Sequence, residues 1–181
     1  MKREEAIKKI AKLKINNLNR DERTGYLIGW WNIDKEDNEF ISLPDSLKNE
    51  MIENDEYENP EDKKYDSLIL KALIHEYKGV RNEYIEREFN QLANDKVEVK
   101  GQIENFKKCP CCGYKTLEAR RTWDICEVCY WEDDGIEDLD VDSGPNRMTL
   151  REAKENFKKI GACEKELIQY TEKQPDLKYE K

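Results

Sequence analysis

The chain has one histidine, His75, no apolar run long enough to cross a bilayer, and little basic residue content against its acids. Each scarcity closes off a class of function. A serine–histidine hydrolytic site would have to bring His75 to a serine, and Ser42, Ser46, Ser67 and Ser143 all lack nucleophile-elbow context. The longest largely apolar stretch, Tyr26 to Ile33, includes Asn32 and falls far short of a membrane span. Met1 to Lys14 alternates charged and apolar residues and lacks the continuous apolar centre and small-residue cleavage site of a secretory signal, so residence in the cytoplasm is the expectation. Internal repeats and low-complexity linkers are also missing. With 41 acidic residues against 32 lysines and arginines the net charge is −9, which repels nucleic-acid phosphate and anionic membranes and favours a basic protein partner.

What the chain does have, against a modest 37% of apolar residues, is 40% charge and six cysteines. In a reducing compartment those cysteines favour metal binding over disulfides. Cys109-Pro110-Cys111-Cys112-Gly113 sets two cysteines around two residues and follows them with a glycine that can turn the chain sharply. Thirteen residues later, Cys126-Glu127-Val128-Cys129 repeats that internal spacing. Four thiolates from two such pairs fill a tetrahedral shell without histidine, so Cys109, Cys112, Cys126 and Cys129 are expected to hold one structural zinc ion. A rubredoxin-like iron site and redox or disulfide pairs are the alternatives. Cys111 and Cys163 are expected to be spare thiols, since neither has a nearby base.

Helical periodicity dominates the first half. Ala6, Ile7, Ile10 and Leu13 line one helix; Asn19 and Glu22 form a capping box before a second that runs to about Trp31. Ser42, Pro44 and Asp45 start a third, with Leu47, Met51 and Ile52 inward. Asp66 caps a fourth that Gly79 closes, and a fifth spans Asn82 to Leu92. Between Asp34 and Asp66 thirteen acidic residues outnumber Lys35, Lys48, Lys63 and Lys64, which predicts an acidic face or loop.

Near Asp95 the pattern changes. Val97, Val99 and Ile103 alternate with polar residues, predicting a strand, and Tyr114–Ala119 with Thr122–Ile125 predicts a hairpin joined near Arg120 and Arg121. Trp123, Ile125, Tyr130 and Trp131 are expected to cover the metal. Thr149 and Glu152 form another capping box, with Leu150, Ala153, Phe157 and Ile160 inward and Gly161 as the stop, in a helix expected to pack on the ribbon. The expected architecture is α+β: an all-helical part (1–95), a zinc-ribbon-like β-hairpin module with a packed helix (96–165) and a polar tail (166–181).

The segments C-P-C-C-G-Y (Cys109–Tyr114), D-I-C-E-V-C-Y-W-E-D-D-G (Asp124–Gly135) and S-G-P-N-R-M-T-L-R-E-A-K-E-N-F (Ser143–Phe157) resemble the cysteine-rich CPCC domain proteins of bacteria. The resemblance implies a zinc-ribbon-like core and supplies no activity and no catalytic residues.

Nine acidic residues and no basic one lie between Asp124 and Asp142. Asp138, Asp140 and Asp142 make a poor calcium loop, because the glycine is displaced and Thr149 stands where the closing glutamate belongs. Glu132, Asp133, Asp134, Glu137 and Asp138 are the candidate partner-binding residues. The expected function is a non-enzymatic cytoplasmic binding protein for a basic partner, in its most specific form an immunity-type protein that covers the active-site cleft of a bacterial toxin. Two rivals from other classes are a magnesium or manganese enzyme built on Glu132, Asp133, Asp134 and Glu137, and a zinc-ribbon nucleic-acid or transcription adaptor using the basic hairpin.

Overall fold

The computed structural model describes residues Met1–Lys181, which form an α+β fold of two compact units. The first unit comprises Met1–Lys78 and Ile85–Gly101; the second comprises Gly79–Tyr84 and Gln102–Lys181. The chain thus changes unit three times, the last time between Gly101 and Gln102. Residues 166–181, expected as a polar tail, belong to the second unit and carry structure of their own.

In the first unit, α1 (Arg3–Ile15), α2 (Arg20–Trp30), α3 (Asn38–Ile41), α4 (Asp45–Glu53) and α5 (Asp66–His75) surround one apolar core. Residues from Ile85 to Ala93 add the larger part of α6 (Asn82–Ala93). The helix starts follow local chemistry. Asn19 accepts from the Glu22 amide while Glu22 reaches back to the Asn19 amide at 2.8 Å, the reciprocal cap expected from sequence. Leu27, Trp31, Phe40, Leu47, Tyr65, Leu68, Ile69 and Leu73 meet in the core, and the Trp31 ring packs edge-on to Tyr65 at 5.6 Å. Ile52, expected inward, is half exposed, because α4 turns only Leu47 and Met51 to the core. The predicted strand near Val97 does not form. Its place is taken by a single parallel bridge between Lys2 and Lys100, with the Met1 ammonium donating to the Glu98 carbonyl at 2.6 Å.

Charge is handled by pairing. Arg23, nearly buried, donates to the Pro60 and Asp62 carbonyls and to the Asp66 carboxylate, at 2.6, 3.1 and 2.8 Å, and so fastens the acidic connection between α4 and α5 to α2.

The second unit contains β1 (Lys107–Lys108), β2 (Lys115–Leu117), β3 (Asp142–Ser143), β4 (Met148–Thr149), α7 (Leu150–Ile160), a 3-10 turn over Lys165–Tyr170 and α8 (Pro175–Lys178). Strands β1 and β2 pair antiparallel, as do β3 and β4. The predicted hairpin between Tyr114–Ala119 and Thr122–Ile125 is replaced by another arrangement. Each cysteine pair closes its own short hairpin, the first between β1 and β2, the second between the bridged residues Ile125 and Glu132. No ladder forms across Arg120 and Arg121, and Trp123, in the second predicted strand, adopts a left-handed backbone angle that extended pairing does not use.

The Thr149–Glu152 capping box forms as expected, and α7 stops at Gly161 with φ +77°. Leu150 and Ala153 are buried and the Phe157 ring meets Tyr114 edge-on, while Ile160 is exposed. The C-terminal residues fold back: the Lys115 amide donates to the Glu180 carbonyl at 2.8 Å, the Tyr114 hydroxyl donates to Asp176, and Tyr179 is buried.

Candidate metal centre

Both cysteine pairs are built by the same backbone device. Four residues after the first cysteine of each pair, Gly113 (φ +85°) and Tyr130 (φ +65°) take left-handed angles. Their amides donate back to the carbonyls of Cys109 and Cys126 at 3.0 and 2.7 Å. One residue further on, the carbonyls of Tyr114 and Trp131 accept from the Cys109 and Cys126 amides at 2.8 and 2.9 Å. The two turns are thus superposable in pattern, although only the first uses the glycine that such an angle favours. Tyr130 holds its angle under constraint from its neighbours: Val128 and Trp131 are fully buried on either side, and the Tyr130 ring stacks at a tilt on Tyr170, centroids 5.4 Å apart.

These turns bring four thiols together. Cys109 and Cys129 sulfurs lie 3.6 Å apart, Cys112 and Cys126 sulfurs 3.5 Å apart, and all four fall within 4.8 Å of one another. A disulfide needs about 2.05 Å, so no pair is bonded. Metal–sulfur bonds of about 2.3 Å in a tetrahedron set the sulfurs roughly 3.8 Å apart, so the donor set fits a tetrahedral ion. Every thiol is at least nine-tenths buried. Burial pushes Cys109 and Cys129 well above the ordinary thiol range, and neighbouring thiols reinforce the shift. Burial opposes ionisation at Cys126 too, but hydrogen bonds from Cys109, Cys112, Cys129 and Thr116 outweigh it and hold Cys126 well below that range. Thr116, which the sequence did not single out, places its hydroxyl 2.9 Å from the Cys126 sulfur.

Cys111 and Cys163 stay outside the four-thiol group. Cys163 is buried, and burial together with the nearby Cys111 and Glu164 raises its thiol to about 12. Its backbone amide has a structural task, donating to the Cys129 carbonyl at 2.7 Å, while the Glu172 amide donates to the Glu127 carbonyl at 2.9 Å. The segment following α7 thereby holds the second turn in place.

The expected cover is half present. Trp131 is fully buried and Tyr130 partly so, but Trp123 is 60% exposed and Ile125 45% exposed. The loop bearing Trp123 folds instead around Asp133, whose carboxylate accepts from the Arg120 guanidinium and the Arg121 amide and whose backbone carbonyl accepts from the Trp123 amide.

Asp133, expected on a partner-binding surface, is inaccessible to a partner, with 0% exposure. Several of its neighbours are engaged as well. Asp134 accepts from the Ser143 hydroxyl at 2.7 Å, Glu137 faces Arg121 at 3.5 Å, Asp138 accepts from the Asp140 amide, and Asp140 takes both arms of Arg151 at 2.7 and 2.9 Å. At Glu132 the backbone is clamped by Asn146, which accepts from its amide at 3.0 Å and donates to its carbonyl at 2.8 Å. Asp133, Asp134 and Asp140 therefore act as fasteners within the cysteine module. Glu137 and Asp138 remain exposed, and Glu132 and Asp134 partly so.

Residues 107–177 match the family model described as cysteine-rich CPCC. The matched residues, fewer than half of the chain, contain the four clustered thiols, Thr116, the Asp133 clamp, and the Ser143 and Asn146 contacts. No curated protein and no solved structure matches the chain.

Proposed function

We propose that the protein is a non-enzymatic, zinc-stabilised binding protein for a basic protein partner, acting in the cytoplasm. The observation that carries the metal assignment is the closed set of four buried thiols. Structural zinc takes four protein ligands, whereas a catalytic zinc keeps a position for water or substrate. Four sulfurs from two turns leave no such position, and they suit a borderline-soft ion. In a unit with few strands, ligation also supplies folding free energy that the small apolar core cannot.

Recognition of a basic partner is supported by the net charge of −9 and by its distribution. Much of the acidic loop of the cysteine module is consumed by internal pairs, whereas Asp34, Glu36, Asp37, Glu53, Asp55 and Glu56 of the helical unit are exposed. The charge that steers association is accordingly assigned to the helical unit. An immunity-type role, in which an acidic surface covers the basic active-site cleft of a toxin, is the specific form of this reading. Elemental analysis of native protein should give one zinc per chain, and the colour of an iron–thiolate centre in place of zinc would overturn the metal assignment. Once a partner is in hand, its association rate should fall steeply with added salt; a salt-independent rate would remove charge from the recognition.

A further inference from the structure

The outer face of α2 is more open than its own packing requires. Gly25, Ile28, Gly29 and Asn32 are spaced three, four and seven residues on from the first, so they share one side of the helical path, and all four are exposed. A Cβ added at Gly25 or at Gly29 would meet nothing within 4 Å, and neither backbone takes a left-handed angle. The fold thus has no use for either glycine, although each weakens the helix relative to alanine. Between them Ile28 is 67% exposed. Beside this face lies a cleft of about 400 Å³ lined by Ile28, Trp31, Asn32, Asp55, Glu56 and Tyr57. It offers an apolar and aromatic wall, two carboxylates and no basic residue.

We propose that this face and its cleft form the docking site for a basic amphipathic helix of the partner protein. The proposal rests on the reading of the chain as a binder of a basic partner and locates where that partner sits. Paired glycines one turn apart let a second helix approach the α2 backbone closely, with an apolar residue against Ile28. A lysine or arginine on the next turn of that helix lays its stem along Tyr57 and brings its charge to Asp55 and Glu56. The same carboxylates and the net charge of −9 oppose a second copy of this chain as occupant.

The probe is a synthetic helical peptide with leucine and alanine on one face and lysine on the other, titrated into the full-length, zinc-loaded, nitrogen-15-labelled protein. A control peptide carries glutamate in place of lysine. The lysine peptide should shift the amide resonances of Gly25, Ile28, Gly29 and Asn32, and the glutamate peptide should not. The double variant Gly25→Ala, Gly29→Ala should bind the lysine peptide roughly tenfold more weakly, yet melt about 2–4 °C higher per substitution, since alanine strengthens the helix while filling the approach. Because this variant is stabilised, weaker binding could not be ascribed to misfolding. Unchanged affinity in the double variant, or shifts confined to other residues, would overturn the docking site and leave the broader reading intact. Failure of the lysine peptide to bind anywhere would overturn both. Sedimentation that revealed a dimer lost in the double variant would assign the face to self-association and sink the basic-helix proposal.

Discussion

Asp133 takes both arms of the Arg120 guanidinium, at 2.7 and 3.4 Å, with its carboxylate wholly shielded from solvent. The pair is unequal, since the Arg120 side chain keeps 30% of its surface. Arg120→Ala leaves a buried carboxylate with one backbone donor, Arg121, and should cost ~3 kcal/mol. Asp133→Ala leaves an arginine that water can still reach and should cost less, about 1.5 kcal/mol. Denaturant unfolding of the two metal-loaded variants checks the order. A greater loss for Asp133→Ala would show that the carboxylate's bond to the Arg121 amide, rather than the ion pair, holds the loop.

Metal content should separate the six cysteines into two groups. Cys126→Ser removes a ligand and should abolish stoichiometric binding and loosen the second unit, whereas Cys111→Ser and Cys163→Ser should each retain one ion per chain. Cobalt substitution gives the readout, through the thiolate charge-transfer absorption of a tetrahedral site. Loss of that band in Cys111→Ser would require a different ligand set.

The helices and the cluster of four cysteines were legible because their signals are local. The Asn19–Glu22 and Thr149–Glu152 boxes lie within one helical turn, and two identical cysteine spacings need only a turn each. The internal contacts of the acidic loop were hidden for the opposite reason. Its partners Arg120, Ser143 and Arg151 stand nine to thirteen residues from the carboxylates they engage, and charge count alone cannot distinguish a fastener from a solvated face. The cysteine hairpins were misplaced because the strands are only two or three residues long, too short for alternation to show. Residues 166–181 looked like a tail because their anchors, such as the backbone bond of Glu172 to Glu127 and the Tyr114 hydroxyl on Asp176, join positions far apart in the chain, which no local pattern reports.

Thr116 should tune the metal without holding it. Its hydroxyl lies 2.9 Å from the Cys126 sulfur, where a hydrogen bond favours the thiolate. Thr116→Val keeps the shape and removes the bond, and should weaken metal affinity about tenfold in chelator competition. Thr116→Ser should restore most of the loss. Equal affinity in all three proteins would confine the hydroxyl to packing.

The Tyr114 hydroxyl donates to Asp176 and gives α8 an alkaline limit. Burial, followed by the adjacent Asp176 carboxylate, raises this phenol from its ordinary value near 10 to about 12. An acid whose folded pKa lies above its unfolded one contributes stability that is complete below the unfolded value and disappears as pH rises through the folded value. The contribution of Tyr114 should therefore be intact at pH 9 and fade between about pH 10 and 12, as the phenolate forms beside a carboxylate. Hydrogen exchange at Tyr179 and Glu180, followed against pH and corrected for the intrinsic rate, reads the loosening of the C-terminal segment. Tyr114→Phe should exchange faster than wild type at pH 9, for want of the bond, and should then show a flatter response across the alkaline window. If wild type and Tyr114→Phe rose in parallel from pH 10 to 12, the alkaline loosening would belong to another group, with buried Tyr179 the next to test.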